Sequence, residues 1–555
     1  MPRFSTFGAA ALLIRLALAA CSLVSPTAAA QANSHAAQLI KAKTTATTRQ
    51  TQPPAPIIVP PGSELYQAQR GDSLPAVARK YLRKTTYLTS SELADAIRSA
   101  NGNRHGAFLK PGEQILIPGI LESPIVEKPV PVARDFEVRA IYLTGVMAAS
   151  EHGERIIRHW REVGGNAVVF DIKDSDGIVN IAFDHPLATG QRHYISDLPK
   201  LIRFLHSLNM HAIARIAIFR DEHLVATHPE LAVHSRRTGE PWRENGKLVW
   251  TDPSNLKVQD YDIALARFVA QSGVDEVQFD YVRFPAEGDQ KDAGFAFQAD
   301  QPKGVSDDDS NRNQPAGPSK TKTATKAAAA QPKGIQRSDV IASFLNRAYA
   351  QIHPTGVLFS LDVFGVMAWQ RPVDLSHTGQ DIVAMSRHCD VLSPMIYPSH
   401  FFGMDGYERP GDAPEHFIAE SMDRFRLITK DSGVVLRPWL QAFAWRTKTY
   451  SPHYVEVQVS VARQKGGIGF LFWNASNDYS KPYTAMPEMR AANAREKGVF
   501  FRGDEVGVKS DPGLATAAPS PLTVPVHPSN GTPQPALSQP VVSGASYRPP
   551  SIYRH

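Results

Sequence analysis

Between residues 138 and 475 the chain repeats one pattern eight times: a short apolar run rich in β-branched and aromatic residues, then an intervening segment, then the next run. The runs are VRAIYLTG (138–145), NAVVFDIK (166–173), HAIARIAIF (211–219), EVQFDYVRF (276–284), VLFSLDVFG (357–365), DVLSPMIYP (390–398), VVLRPWLQAF (434–443) and GIGFLFWNA (467–475). Near-continuous apolar runs of this length suit strands buried on both faces, the condition of a parallel sheet. Between them, stretches such as ERIIRHWREVGG, DLPKLIRFLHSLNM and VQDYDIALARFVAQSG place apolar residues three and four apart and close at Gly or Asn, as amphipathic helices do. Eight βα units between residues 136 and 500 predict an α/β fold of the (β/α)8, or TIM, barrel type with insertions. An open doubly wound sheet fits less well, because no Gly-rich phosphate fingerprint follows the first run.

A chain of 555 residues holds more than one folded unit. Residues 1–30 read as an export signal: Arg3, the apolar run FGAAALLIRLALAAC broken by Arg15, then small residues. Two processing sites compete. LAAC (18–21) would leave a lipid anchor on Cys21, the one route to a membrane, and AAA before Gln31 would release the chain. The expected location is the cell envelope, the periplasm or the outside. Residues 31–63 are a linker rich in Ala, Thr, Gln and Pro; 64–119 form a small βααβ unit; and 120–135 are a Pro-rich hinge. Residues 287–335, inside the barrel region, and 505–555, a Pro-rich tail, have the composition of disorder. Cys21 and Cys389 are the only cysteines, so no disulfide framework is expected. The net charge of +6 is small for this length, and the basic run SKTKTATK lacks interleaved aromatics, which argues against a nucleic-acid partner.

A TIM barrel carries its chemistry at the carboxyl ends of its strands. There the sequence sets Asp171, Lys173 and Asp174 on the second run, Arg215 on the third, Asp280, Tyr281 and Arg283 on the fourth, and Asp362 on the fifth. Tyr397 and His400 close the sixth, Arg437 and Trp439 lie on the seventh, and Trp473 and Asn474 close the eighth. Carboxyl groups and flat rings around one mouth are what glycoside cleavage needs: a proton donor, a carboxylate for the oxocarbenium-like centre, and apolar faces against the sugar. Asp280 and Asp362 are the preferred catalytic pair, with the acid and the base left unassigned. Asp171, Lys173, Asp174, Arg215, Tyr281, Arg283, Tyr397, Trp439, Trp473 and Asn474 are candidate substrate contacts. DIKDSDG (171–177) lacks the remaining ligands of a calcium loop and no Cys/His cluster has zinc spacing, so no metal or cofactor is expected.

Two stretches carry resemblances. Tyr66, Gly71-Asp72-Ser73-Leu74, Ala78, Tyr81, Asn101, Leu109, Pro111-Gly112 and Ile115 to Pro118 resemble a LysM module. That resemblance implies binding of glycans containing N-acetylglucosamine, peptidoglycan among them. Over RAIYLTG, NAVVFDIKDSDG, IARIAIFRD, PELAV, WTDPS, DEVQFDYVRFP, SLDVFG, SPMIYPSH and FWNASNDYS, the region 136–500 resembles a TIM-barrel family of glycoside hydrolase type, long catalogued as a domain of unknown function. Likeness to better-known barrel glycosidases further implies a nucleophile at the Asp closing the fourth strand, here Asp280. The expected protein is an exported glycoside hydrolase of a cell-wall or exopolysaccharide glycan; the alternative is a wall protein that binds glycan through a degenerate barrel.

Overall fold

A computed structural model describes residues 59–103, 106–299 and 334–491. The first described element is a βααβ unit: β1 (Ser63–Gln67), α1 (Leu74–Tyr81), α2 (Ser90–Ala100) and β2 (Gln114–Pro118), with β1 and β2 paired antiparallel. Local chemistry sets its turns. The Tyr66 hydroxyl donates to Asp72, the Ser73 side chain caps α1, and Thr89 with Glu92 forms a capping box on α2. Asn101 stitches α2 to β2, donating to the carbonyls of Ile97 and Leu116 and accepting from the Leu116 amide.

The eight runs of the barrel region form eight parallel strands: β3 (Arg139–Leu143), β4 (Ala167–Lys173), β5 (His211–Ala217), β6 (Glu276–Asp280), β7 (Leu358–Phe364), β8 (Val391–Ile396), β9 (Val435–Leu436 and Trp439–Gln441) and β10 (Phe470–Trp473). Each pairs with the next in chain order, and β10 pairs with β3, which closes the barrel. Helices including α3 (Glu151–Glu162), α4 (Leu198–Ser207), α5 (Leu256–Gln271) and α6 (Arg337–Ile352) pack outside it. Side-chain caps start several of them: Ser150 on α3, Asp197 on α4 and Asn255 on α5. Two main apolar clusters result among the described residues of the barrel region. One fills the layer between strands and helices, and a smaller one, with Ala140, Tyr142, Val169, Ile213, Trp439 and Leu471, fills the barrel's interior.

Two segments differ from expectation. Residues 120–135 are a tied strap rather than a free hinge: Glu127 is buried 3.0 Å from Arg203 and 3.3 Å from His206, and the Val130 amide donates to Asp275. The first quarter or so of the expected disordered insertion, residues 287–299, is folded. Ala293–Gly294 pair antiparallel with His234–Ser235, and Phe295 and Phe297 pack on Phe284. Burial of those rings outweighs the polar composition that suggested disorder. The rest of that insertion (300–333), the export signal, the linker up to residue 58 and the tail lie outside the described residues. No helix among the described residues is long and apolar enough to cross a membrane.

Candidate active site

Contacts between strands that are not neighbours can pass only through the barrel's interior, and these define the site. Arg215 on β5 lies 3.9 Å from Asp362 on β7, and the Trp439 indole N–H on β9 donates to Asp362 Oδ1 at 2.7 Å. Arg215 also grips its neighbours on both sides, Asp171 on β4 at 2.5 Å and Asp280 on β6 at 2.6 Å. The Tyr142 hydroxyl donates to Asp171 Oδ2 at 2.5 Å. Asp280 closes β6, and register places Leu361 of β7 opposite Phe279, so Asp362 stands level with Asp280 on the adjoining strand. All of this lies toward the carboxyl ends of the strands, and all of it is buried: Asp280 is 5% exposed and Asp362 1%.

One cation faces three carboxyl groups, which decides where a proton resides. Asp171 and Asp280 have the short contacts to the guanidinium; Asp362 has the long one, and its Oδ2 accepts no hydrogen bond among the described residues. Burial, then the neighbouring Asp280, pushes Asp362 well above the usual carboxyl range, and Arg215 and the Trp439 N–H only partly offset this. Burial also raises Asp171, against the pull of Arg215 and Tyr142. Tyr397 is held protonated by burial and by Asp362 and Asp280. The arrangement offers a protonated carboxyl, an ion-paired carboxylate beside it and a phenol donor.

A family model described as "Putative glycosyl hydrolase domain" matches residues 140–479, the whole barrel. The chain belongs to this family. No curated protein matches. Among solved structures, the chain is similar to a hypothetical protein from Ruminiclostridium thermocellum (30% identity, 40% of this chain and 97% of that one, TM-score 0.31). It is similar also to the spore cortex-lytic enzyme SleL of Bacillus megaterium (12% identity, 78% and 87%, TM-score 0.35) and to the catalytic domain of a β-amylase from Paenibacillus polymyxa (11% identity, 66% and 100%, TM-score 0.41).

In this glycosyl hydrolase-family barrel, the residues singled out from sequence separate into two groups. Asp171, Arg215, Asp280, Asp362, Tyr397 and Trp439 converge in the mouth, with Trp473 half-buried beside Tyr142 and Tyr397. Trp439, proposed as a sugar platform, is 1% exposed and instead holds Asp362. Asp174 sits next to this group; burial and the neighbouring Asp171 raise it to about 6.

The others are elsewhere. Lys173 is fully buried outside the mouth, its amine bonded to Asp221 at 3.0 Å, Asp262 at 2.7 Å and the Ile218 carbonyl. A register shift explains it: Asp171 pairs with Arg215 but Lys173 pairs with Ile216, so the extra residue turns Lys173 toward the helices. Gly177 makes room for that cluster, since a Cβ there would meet Asp221 Oδ1 at 1.9 Å. Arg283 does not pair with Asp280. Its guanidinium is stacked between Trp250 (4.5 Å) and Phe364 (4.4 Å) and donates to the Phe284 carbonyl. Tyr281 turns the chain with φ of 56° and its hydroxyl accepts from Arg220. Asn474 is consumed by its own loop and by the segment after β9, donating to the carbonyls of Asp478 and Ala442 and accepting from the Ser476 amide. Arg437 is bound to Glu276 at 2.8 Å, toward the other end of the barrel. Tyr142, absent from the predicted site, had one available signal: it stands two residues from Ala140 on β3, and alternation puts both inside.

Proposed function

We propose that the chain is an exported glycoside hydrolase of a cell-wall or exopolysaccharide glycan, with Asp280 and Asp362 as its catalytic pair. The observation that carries this reading is the pair itself: level carboxyl groups on adjoining strands, one ion-paired and the other kept protonated by burial. Asp362 serves as the general acid. In the first step Asp280 attacks the anomeric carbon, the bond to the leaving oxygen breaks, and that oxygen takes the Asp362 proton. In the second, water attacks the glycosyl-enzyme ester, gives its proton to Asp362, and Asp280 leaves as carboxylate. Neighbouring strands lie about 4.8 Å apart, which favours the closer carboxyl spacing of a retaining enzyme over the wider gap of an inverting one. Arg215 fixes both the position and the charge of Asp280 and orients Asp171. Trp473 gives the sugar a flat apolar face. The βααβ unit acts as a LysM-like anchor, raising the local concentration of glycan at the barrel.

One observation favours a second reading, a barrel that binds glycan without cutting it: the two carboxyl groups are almost wholly covered. Reducing-end release from purified peptidoglycan and from amino-sugar exopolysaccharides separates the two. The hydrolase reading expects release by the wild type, loss by Asp280→Asn, and a roughly 10²- to 10⁴-fold loss by Asp362→Asn. An activated aryl glycoside, whose leaving group needs no proton, should restore much of the Asp362→Asn rate. Binding without release by the wild type would establish the binder instead.

A further inference from the structure

A path of aromatic contacts runs outward from the carboxyl groups along the loops that follow β8 and β9. Trp473 meets Phe443 with ring centroids 5.6 Å apart, Phe443 meets His400 at 5.8 Å, and His400 meets Trp445 at 5.0 Å. The path ends on Arg446, whose guanidinium lies 4.5 Å from the Trp445 ring and 5.0 Å from the ring of Phe402. Phe402 is 51% exposed, so its ring face is open to a ligand. Arg446 itself is exposed and makes no ion pair among the described residues. Asp412, which follows the Gly411 packed on the Arg446 carbonyl, is already engaged by Arg409 and by the amides of Lys448 and Thr449.

The position of this cation is built rather than incidental. Arg446 has φ of 52°, a left-handed conformation that costs a side-chain-bearing residue energy and that glycine would adopt freely. The two loops are clipped together beneath it. A Cβ at Gly411 would stand 2.4 Å from the Arg446 carbonyl, Tyr454 donates to the Gly411 carbonyl, and Gln441 donates to Thr447. A guanidinium flanked by two rings, held on a stiff turn and without a carboxylate of its own is a site for an anionic group carried on a flat, partly apolar body.

Resting on the hydrolase reading above, we infer that Phe402, Trp445 and Arg446 form an outer subsite that takes a carboxylated sugar unit. The substrate class is then an acidic polysaccharide that extends at least from Trp473 to Phe402. The rings stack on the sugar faces and Arg446 pairs with the carboxylate.

The test uses the full chain and three uronate polymers, polygalacturonate, hyaluronan and alginate, each alongside its carboxyl-reduced neutral form. Binding is read by tryptophan fluorescence at low and high salt. At least one uronate should bind roughly tenfold or more tighter than its reduced form. Arg446→Gln should abolish that preference, Arg446→Lys should keep part of it, and salt should weaken it. Trp445→Ala should weaken both forms of the same polymer. Unchanged melting of Arg446→Gln excludes misfolding as the cause. Equal affinity for all three pairs in the wild type, or a preference that survives Arg446→Gln, overturns the inference. Reducing-end release in the same samples keeps the two ideas separate. Equal cleavage of charged and neutral forms leaves the hydrolase and removes the carboxylate subsite, whereas a charge-dependent affinity without cleavage does the reverse.

Discussion

Arg215→Met removes the one cation, among the described residues, that contacts the carboxyl groups of the mouth, while keeping most of the side-chain volume. In the wild type, its guanidinium pairs with Asp171 at 2.5 Å and Asp280 at 2.6 Å and lies 3.9 Å from Asp362, all nearly free of solvent. Breaking a buried pair from one side leaves an uncompensated charge, a loss of about 3–5 kcal/mol. Two short pairs are broken here, and protonation of the orphaned carboxyl groups caps the loss near that range. For a barrel larger than the domains in which one kcal/mol shifts the midpoint by roughly 2–4 °C, the expected drop at pH 8 is roughly 5–10 °C. The pH dependence is the sharper readout. Asp171 and Asp362 are already raised in the folded state by burial, and losing Arg215 raises them further. An acid raised by folding contributes stability that is complete below its unfolded value, about 3.9, and that is lost as pH rises through the folded value. The variant should therefore melt close to the wild type at pH 4 and fall away steadily toward pH 8. Thermal unfolding by circular dichroism from pH 4 to 8 measures this. A deficit below about 1 kcal/mol that does not change with pH would mean that solvent compensates these carboxyl groups, and the charge argument for Asp362 as proton carrier would fail with it.

Trp439→Phe removes the hydrogen bond that favours the charged form of Asp362, so the proton should be held more tightly. The alkaline limb of kcat, where the acid is lost, should move to higher pH by about one unit. Asp174→Asn tests a group raised to about 6 by burial and Asp171. Its stabilising contribution is complete below about 3.9 and gone above pH 6, so the amide variant should gain up to about 3 kcal/mol relative to wild type at pH 8 and nothing at pH 4, by the same melting series. Lys173→Met should cost about 3–5 kcal/mol by leaving Asp221 and Asp262 unpaired, while the KM of the folded fraction stays unchanged because the amine does not reach the mouth.

The barrel was legible because strands buried on both faces have to be apolar along their length, and all eight predicted runs contain one. Where side chains point was only partly legible. Asp171, Arg215, Asp280 and Asp362 were found by their place at strand ends, and simple alternation holds for them. It fails for Lys173, because the shift after Asp171 is a property of the pairing with β5 and leaves no mark in NAVVFDIK. It fails for Arg283 because Tyr281, at φ of 56°, ends the strand and redirects the chain from Val282 onward. Asn474 and Trp439 have residue types that suit sugar binding, yet each is spent on a partner distant in sequence, and sequence order does not reveal such partners. The expected hinge misled for the same reason: the buried Glu127 finds Arg203 and His206 only in the fold.

Two ionic groups inside the barrel show how charge balance distinguishes support from chemistry. Toward the amino ends of the strands, Glu276 faces Arg437 at 2.8 Å and His211 at 3.1 Å. Burial would raise it, but those partners outweigh burial and hold it at about 2, so its contribution to stability is complete above about 4.3 and lost only as pH falls toward 2. A carboxylate so compensated has no proton to give near neutral pH. Toward the carboxyl ends the numbers do not match: one guanidinium serves three carboxyl groups, and the least served, Asp362, is pushed well above the usual range. The same elements of a barrel wall thus carry a saturated pair at one end and a protonated surplus at the other, and only the surplus can act as an acid. Carbon-13 NMR of the carboxyl groups would separate them. Titration of Glu276 near 2, with Asp362 still protonated well above the ordinary carboxyl range, is the expected result; Asp362 ionising in the ordinary range would leave the barrel without its proton donor.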